Sequence, residues 1–87
     1  LLDGFVATAS AAVLESLRPG ALDHTLAAHR SREPGHARLL AVLAKQPVLD
    51  VDVALGEGTG ALLAVPIVRA AAFAVSDVAT VDEWGLR

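Results

Sequence analysis

The stretch Leu55-Gly56-Glu57-Gly58-Thr59-Gly60-Ala61 sets one carboxylate among three glycines, just ahead of a long apolar segment. Glutamate is a poor turn former beside Gly, Asn or Asp. Glycines on both sides permit positive φ and strip steric cover from the peptide, so a ligand can approach the backbone while the carboxylate stands free. Such an arrangement presents an acid or a base. The alternative is a flexible loop that carries a solvated glutamate, and the heptapeptide alone leaves both readings open.

Other residue types with chemistry sit at the ends of predicted elements. Residues 1–5, Leu1-Leu2-Asp3-Gly4-Phe5, read as the end of a buried strand entering a turn. Ligands gather at the carboxyl ends of strands in open α/β sheets, so Asp3 is a candidate contact. A cap for the following helix is an equal reading of Asp3. The polar run His29-Arg30-Ser31-Arg32-Glu33-Pro34-Gly35-His36 places Ser31 and two arginines before a helix start, where an anion or polar substrate could bind. An ordinary solvated loop with a capped helix accounts for the same residues. The three histidines lack metal-ligand spacing on one helix face, so no metal site is expected.

Along the chain, helical spacing predicts a helix over 8–17, stopped by Arg18-Pro19-Gly20. Residues 22–29 read as a second buried strand, 34–45 as a helix opened by Pro34, and 48–55 as a half-buried strand. Asp50 and Asp52 alternate with the apolar positions of that strand and face solvent. Residues 61–75 form a 15-residue apolar run broken only by Arg69 and Pro66. That is short of the roughly 20 residues that span a bilayer, so a buried helix bent at Pro66 is expected and no membrane partner. In the polar tail, Trp84 is the residue expected to anchor by burial.

Composition narrows the classes. At 87 residues the chain is at most one small domain, and a domain of that size buries only about 60% of its unfolded surface. Yet 54% of the residues are hydrophobic, rich in alanine and leucine. More apolar surface is available than such a body hides, so the chain is expected to be part of a larger protein or to need a partner. A net charge of −3 without a basic patch argues against nucleic acid. Absence of cysteine fits a reducing compartment, and with no signal peptide in view the expected location is cytoplasmic. Gly56-x-Gly58-x-Gly60 imitates a dinucleotide fingerprint, but its third glycine comes one residue early and Asp77 follows a helix rather than a strand. No cofactor is expected.

Taken together, Leu2-Asp3-Gly4-Phe5, His29-Arg30-Ser31-x-Glu33-Pro34-Gly35-His36, Leu49-Asp50, Leu55-Gly56-Glu57-Gly58-Thr59-Gly60-Ala61, Pro66-x-x-Arg69-Ala70-Ala71 and Ala79-Thr80 resemble the carboxyl-terminal quarter of nicotinate-nucleotide:dimethylbenzimidazole phosphoribosyltransferases. The resemblance implies phosphoribosyl transfer from nicotinate mononucleotide to 5,6-dimethylbenzimidazole, yielding α-ribazole 5′-phosphate and nicotinate, a step in assembling cobalamin. It implies Glu57 as general base, Leu55 in an apolar benzimidazole slot flanked by Gly56 and Gly58, and Asp3, Gly4 and Ser31 near the ribosyl nucleotide. It also implies a homodimer and a fragment of a three-layer, Rossmann-like parallel α/β domain over residues 1–56. That domain would run into an active-site loop and a long helix of a smaller helical domain over residues 57–87. Without the segments that hold phosphate, the 87-residue chain alone is expected to be inactive. The alternative is a non-catalytic remnant, or an azole-binding module that keeps the slot and has lost the transfer chemistry.

Overall fold

A computed structural model describes residues 1–86; Arg87, the last residue of the predicted helical segment, lies outside them. The elements run α1 (Phe5–Leu17), β1 (Ala27–His29), α2 (Pro34–Val42), β2 (Pro47–Leu49) and α3 (Thr59–Ser76). β1 and β2 are parallel, with Ala27 opposite Pro47 and His29 opposite Leu49. Leu2 adds a parallel bridge to Ala27: its N–H donates to the Leu26 carbonyl and its carbonyl accepts from Ala28 N–H, both at 2.8 Å. β1 is therefore central, between Leu2 and β2. Parallel neighbours require crossovers, which α1 and α2 supply; these two helices pack on each other, while α3 packs on β1 and β2. The result is the helix-rich parallel α/β fragment expected from the sequence.

Three element boundaries differ from those expected, each for a local hydrogen-bonding reason. α1 begins at Phe5, not residue 8, because extended Gly4 serves as its N-cap and its carbonyl accepts Thr8 N–H at 3.0 Å. Residues 22–26 form a turn and coil rather than strand. There the Glu15 carboxylate accepts the N–H groups of Gly20 and Leu22 at 2.8 and 2.9 Å, and Lys45 Nζ donates to the Leu22 and Thr25 carbonyls at 3.0 and 2.9 Å. α2 stops at Val42 rather than residue 45. Ala44 takes a left-handed φ of 53°, while the N–H groups of Ala44 and Lys45 return to the Ala41 and Leu40 carbonyls, the paired closure of a Schellman motif.

Two larger expectations fail. The strand read over 48–55 ends at Leu49, because its neighbour β1 stops at His29 and leaves nothing for the later residues to pair with. Asp52 then turns left-handed, at φ 60°. The helix expected to be buried forms over Thr59–Ser76, but only Gly60 and Ala64 are buried in it. Leu62, Ile67, Phe73 and Val75 are exposed, as is Trp84 at 70%, so the anchoring assigned to Trp84 does not occur. Counted from Thr59, the helix has 18 residues and a mean hydropathy of 1.7, long and apolar enough to cross a membrane by length and composition. Gly60, in its first turn, packs against His29 of β1.

The shape agrees with this uncovered surface. The accessible area is 6232 Å², against about 4,800 Å² for a self-contained globule of 8.9 kDa. A radius of gyration of 15.8 Å compares with about 12 Å for a compact chain of this length. Apolar core residues are few: Leu22, Ala27, Ala28, Leu40 and Ala64 are fully buried.

Candidate active site at the strand ends

Several of the most buried side chains are polar. Thr8, His29 and His36 are each at most 1% exposed and Ser31 is 8% exposed. Such groups must be hydrogen-bonded or they cost free energy. His36, on α2, meets the condition: its Nδ1 accepts Ser31 N–H at 2.9 Å, and its Nε2 lies 3.2 Å from Thr8 Oγ1. An acceptor Nδ1 leaves the proton on Nε2, so the neutral ring donates to Thr8. Burial, and next the charge of His29, push the His36 pKa below its ordinary value, with Asp3 opposing. This ring joins α1 to the loop after β1. Phe5 packs edge-on against it, with ring centroids 6.5 Å apart. Gly35 leaves room for Phe5, since a Cβ there would lie 3.0 Å from the phenyl ring.

Above this floor opens a cavity of about 610 Å³, lined by Asp3, Gly4, Phe5, Val6, Ala7, His29, Ser31, Glu33, Ala54, Leu55 and Gly56. Its size falls in the usual range for small-molecule sites, about 300–1,000 Å³. Each contributing segment leaves the carboxyl end of a parallel strand, the position at which open α/β sheets bind ligands. Asp3, Gly4, Ser31, Leu55 and Gly56 are thus brought together. The Ser31 hydroxyl accepts Glu33 N–H at 3.2 Å, which leaves its own proton for another acceptor.

Glu57 and Gly58 continue the chain beyond the lining. Both glycines beside Glu57 are left-handed, φ 76° at Gly56 and 81° at Gly58, and a Cβ at either would meet nothing within 4 Å. Glu57 is exposed and makes no hydrogen bond or ion pair among the described residues. What fixes the loop is Asp3, which does cap a helix, though α3 rather than α1. Its Oδ2 accepts Gly58 N–H and its Oδ1 accepts Ala61 N–H, each at 3.0 Å. A carboxylate at a helix amino terminus is favoured by both orphan N–H groups and dipole.

Each of the two arginines near Ser31 is matched by an aspartate of the loop after β2. Arg30 meets Asp50 at 2.7 Å and Arg32 meets Asp52 at 3.4 Å, all four well exposed. His29 and His36 were missed as a pair; their ring centroids lie 6.1 Å apart. No group of three or more His, Cys, Asp or Glu residues placed to hold a metal occurs among the described residues.

A family model described as Phosphoribosyltransferase matches residues 1–86. The nicotinate-nucleotide–dimethylbenzimidazole phosphoribosyltransferase of Brucella anthropi is 54% identical over 86 residues, covering 99% of this chain and 25% of that protein. The chain belongs to this phosphoribosyltransferase family. The Cereibacter sphaeroides enzyme of the same name is 50% identical over the same length. The crystal structure of the Thermus thermophilus member superposes with a TM-score of 0.89 at 50% identity, over 98% of this chain and 26% of that one. The chain therefore spans about a quarter of the length of the relatives it matches. Among the described residues, this quarter of a phosphoribosyltransferase has a cavity of mixed polar and apolar lining, an unpaired carboxylate on the residue after the lining Gly56, and the Asp3 clamp that holds the following turn.

Proposed function

We propose that this chain forms the azole-activating part of an enzyme that transfers the phosphoribosyl group of nicotinate mononucleotide to 5,6-dimethylbenzimidazole in cobalamin assembly, with Glu57 as general base. The observation that carries the reading is the unpaired Glu57 carboxylate, one residue past Gly56 at the edge of a cavity whose walls include Phe5, Val6, Ala7, Ala54 and Leu55. A flat bicyclic azole enters those walls with its N–H toward Glu57. The opposite ring nitrogen attacks the anomeric carbon of the ribose, and the bond from that carbon to the pyridinium nitrogen breaks. Nicotinate leaves with the electron pair, and the azole proton passes to the carboxylate. A base within about 3 Å of the N–H is what this transfer needs. Asp3, Gly4 and Ser31 line the same cavity and would face the ribosyl nucleotide.

No lysine or arginine lines the cavity among the described residues, so the substrate phosphate must be held elsewhere. That fits a division in which residues 1–56 close the α/β domain, residues 57–87 begin a helical one, and the exposed apolar faces of α1 and α3 meet the remainder of a homodimer. In a full-length member carrying this segment, Glu57→Gln is expected to lower kcat by about 10²–10⁴-fold while benzimidazole binding, measured by calorimetry, stays nearly intact. Equal loss of both would contradict the assigned role. The same product assay on the 87-residue chain alone should yield no α-ribazole 5′-phosphate, and measurable turnover would show that the chain suffices.

A further inference from the structure

His29 is the one buried polar group of the site whose needs the structure leaves unmet among the described residues. Its ring is 1% exposed, and neither Nδ1 nor Nε2 has a hydrogen-bond partner. An imidazole buried this way costs free energy that a leucine would not. The ring is also tightly seated. A Cβ on Gly60, the second residue of α3, would lie 1.9 Å from His29 Cδ2 and 2.3 Å from Nε2, so the imidazole rests directly on the helix backbone. The nearest charged acceptor is Asp3 Oδ1, 3.5 Å from Nε2. That is an ion-pair separation rather than a formed hydrogen bond, which would need about 3 Å. Oδ1 already accepts Ala61 N–H, and a carboxylate oxygen has a second lone pair to offer.

We propose that His29 is a positioning residue for the Glu57 loop: wedged against Gly60, it donates from Nε2 to the Asp3 carboxylate and sets the clamp on the Gly58 and Ala61 amides. The contact closes by a shift of about half an ångström as substrate fills the cavity that Asp3 and His29 both line. The relay is short. His29 orients Asp3, Asp3 holds Gly58 N–H, and Gly58 follows Glu57. No packing substitutes for it, because the space around Gly56 and Gly58 is open. The kinetic consequence rests on Glu57 being the base; the structural consequence does not.

The test uses the full-length protein in three variants, His29→Leu, His29→Gln and Glu57→Gln, with amide hydrogen exchange over residues 56–62 measured beside steady-state kinetics. Gln keeps an N–H near the position of Nε2. His29→Leu is expected to speed exchange at Gly58 and Ala61 about tenfold or more and to lower kcat by about tenfold to a hundredfold, with the azole KM within about twofold. His29→Gln should recover most of both. Unchanged exchange in a folded His29→Leu variant, or a Gln variant no better than Leu, overturns the proposal. Glu57→Gln separates the two claims: it should abolish turnover with the loop still protected. If it retains turnover the base assignment falls, while the exchange data still decide the role of His29. Should His29→Leu fail to fold, the His29→Ala, Gly60→Ala double variant, whose added methyl takes part of the space of the ring, gives the same exchange readout.

Discussion

His36 lies behind the cavity lining and Glu57 stands at its rim, and the two are held in opposite ways. The His36 ring is fully buried, bonded on both nitrogens and packed against Phe5. Glu57 is exposed between two left-handed glycines and is located only through the Asp3 clamp on its neighbours. The His36 joint thus has both of its ring nitrogens engaged, whereas the rim keeps a carboxylate free. A group that must accept a proton from a ligand cannot have its lone pairs already engaged. A group that only supports the wall should have none left over.

This contrast can be broken from the floor. His36→Ala in the full-length protein leaves a cavity and orphans Ser31 N–H, and is expected to cost about 3 kcal/mol or more, read from denaturant midpoints. A loss under about 1 kcal/mol would show that the ring is not the joint between α1 and the loop after β1. The sign of the pH dependence sharpens the same point. Because the folded His36 pKa lies below its ordinary value, the unfolded state takes up the proton more readily. The stabilisation is complete above the unfolded value of about 6.5 and is lost as pH falls through the depressed folded value. Unfolding midpoints at about pH 7.5, 6 and 5 should decline in that order, and His36→Gln should flatten the decline. The smallest effect belongs to the surface. Arg30→Ala removes the pair with Asp50, both about half exposed, and should change stability by less than about 1 kcal/mol and less still at high salt.

Much of the rim was legible in the residues. Glycines around Glu57 allowed a presented carboxylate or a loop with a solvated glutamate, and Asp3 at the end of an apolar run announced a strand end, though the helix it caps lies 55 residues away. The floor was not legible. Thr8 and His36 are 28 residues apart, a pairing no local pattern encodes. His29 occupies a three-residue strand buried on every side, where alternation carries no information about orientation. Its place at the carboxyl end of a central parallel strand was the signal that could have singled it out. The apolar run of α3 announced a helix but not its exposure. Composition demands burial without saying that the same 87 residues supply it, and here only Gly60 and Ala64 of that helix are buried.

The central claim is that the Glu57 carboxylate meets the azole proton. A crystal structure of the full-length protein with 5,6-dimethylbenzimidazole bound tests it most directly. A Glu57 oxygen is expected within about 3 Å of one ring nitrogen, with the ring against Leu55. A bound ring whose nitrogens both lie beyond hydrogen-bond reach of Glu57, or a Glu57 locked in an ion pair in that complex, would contradict it.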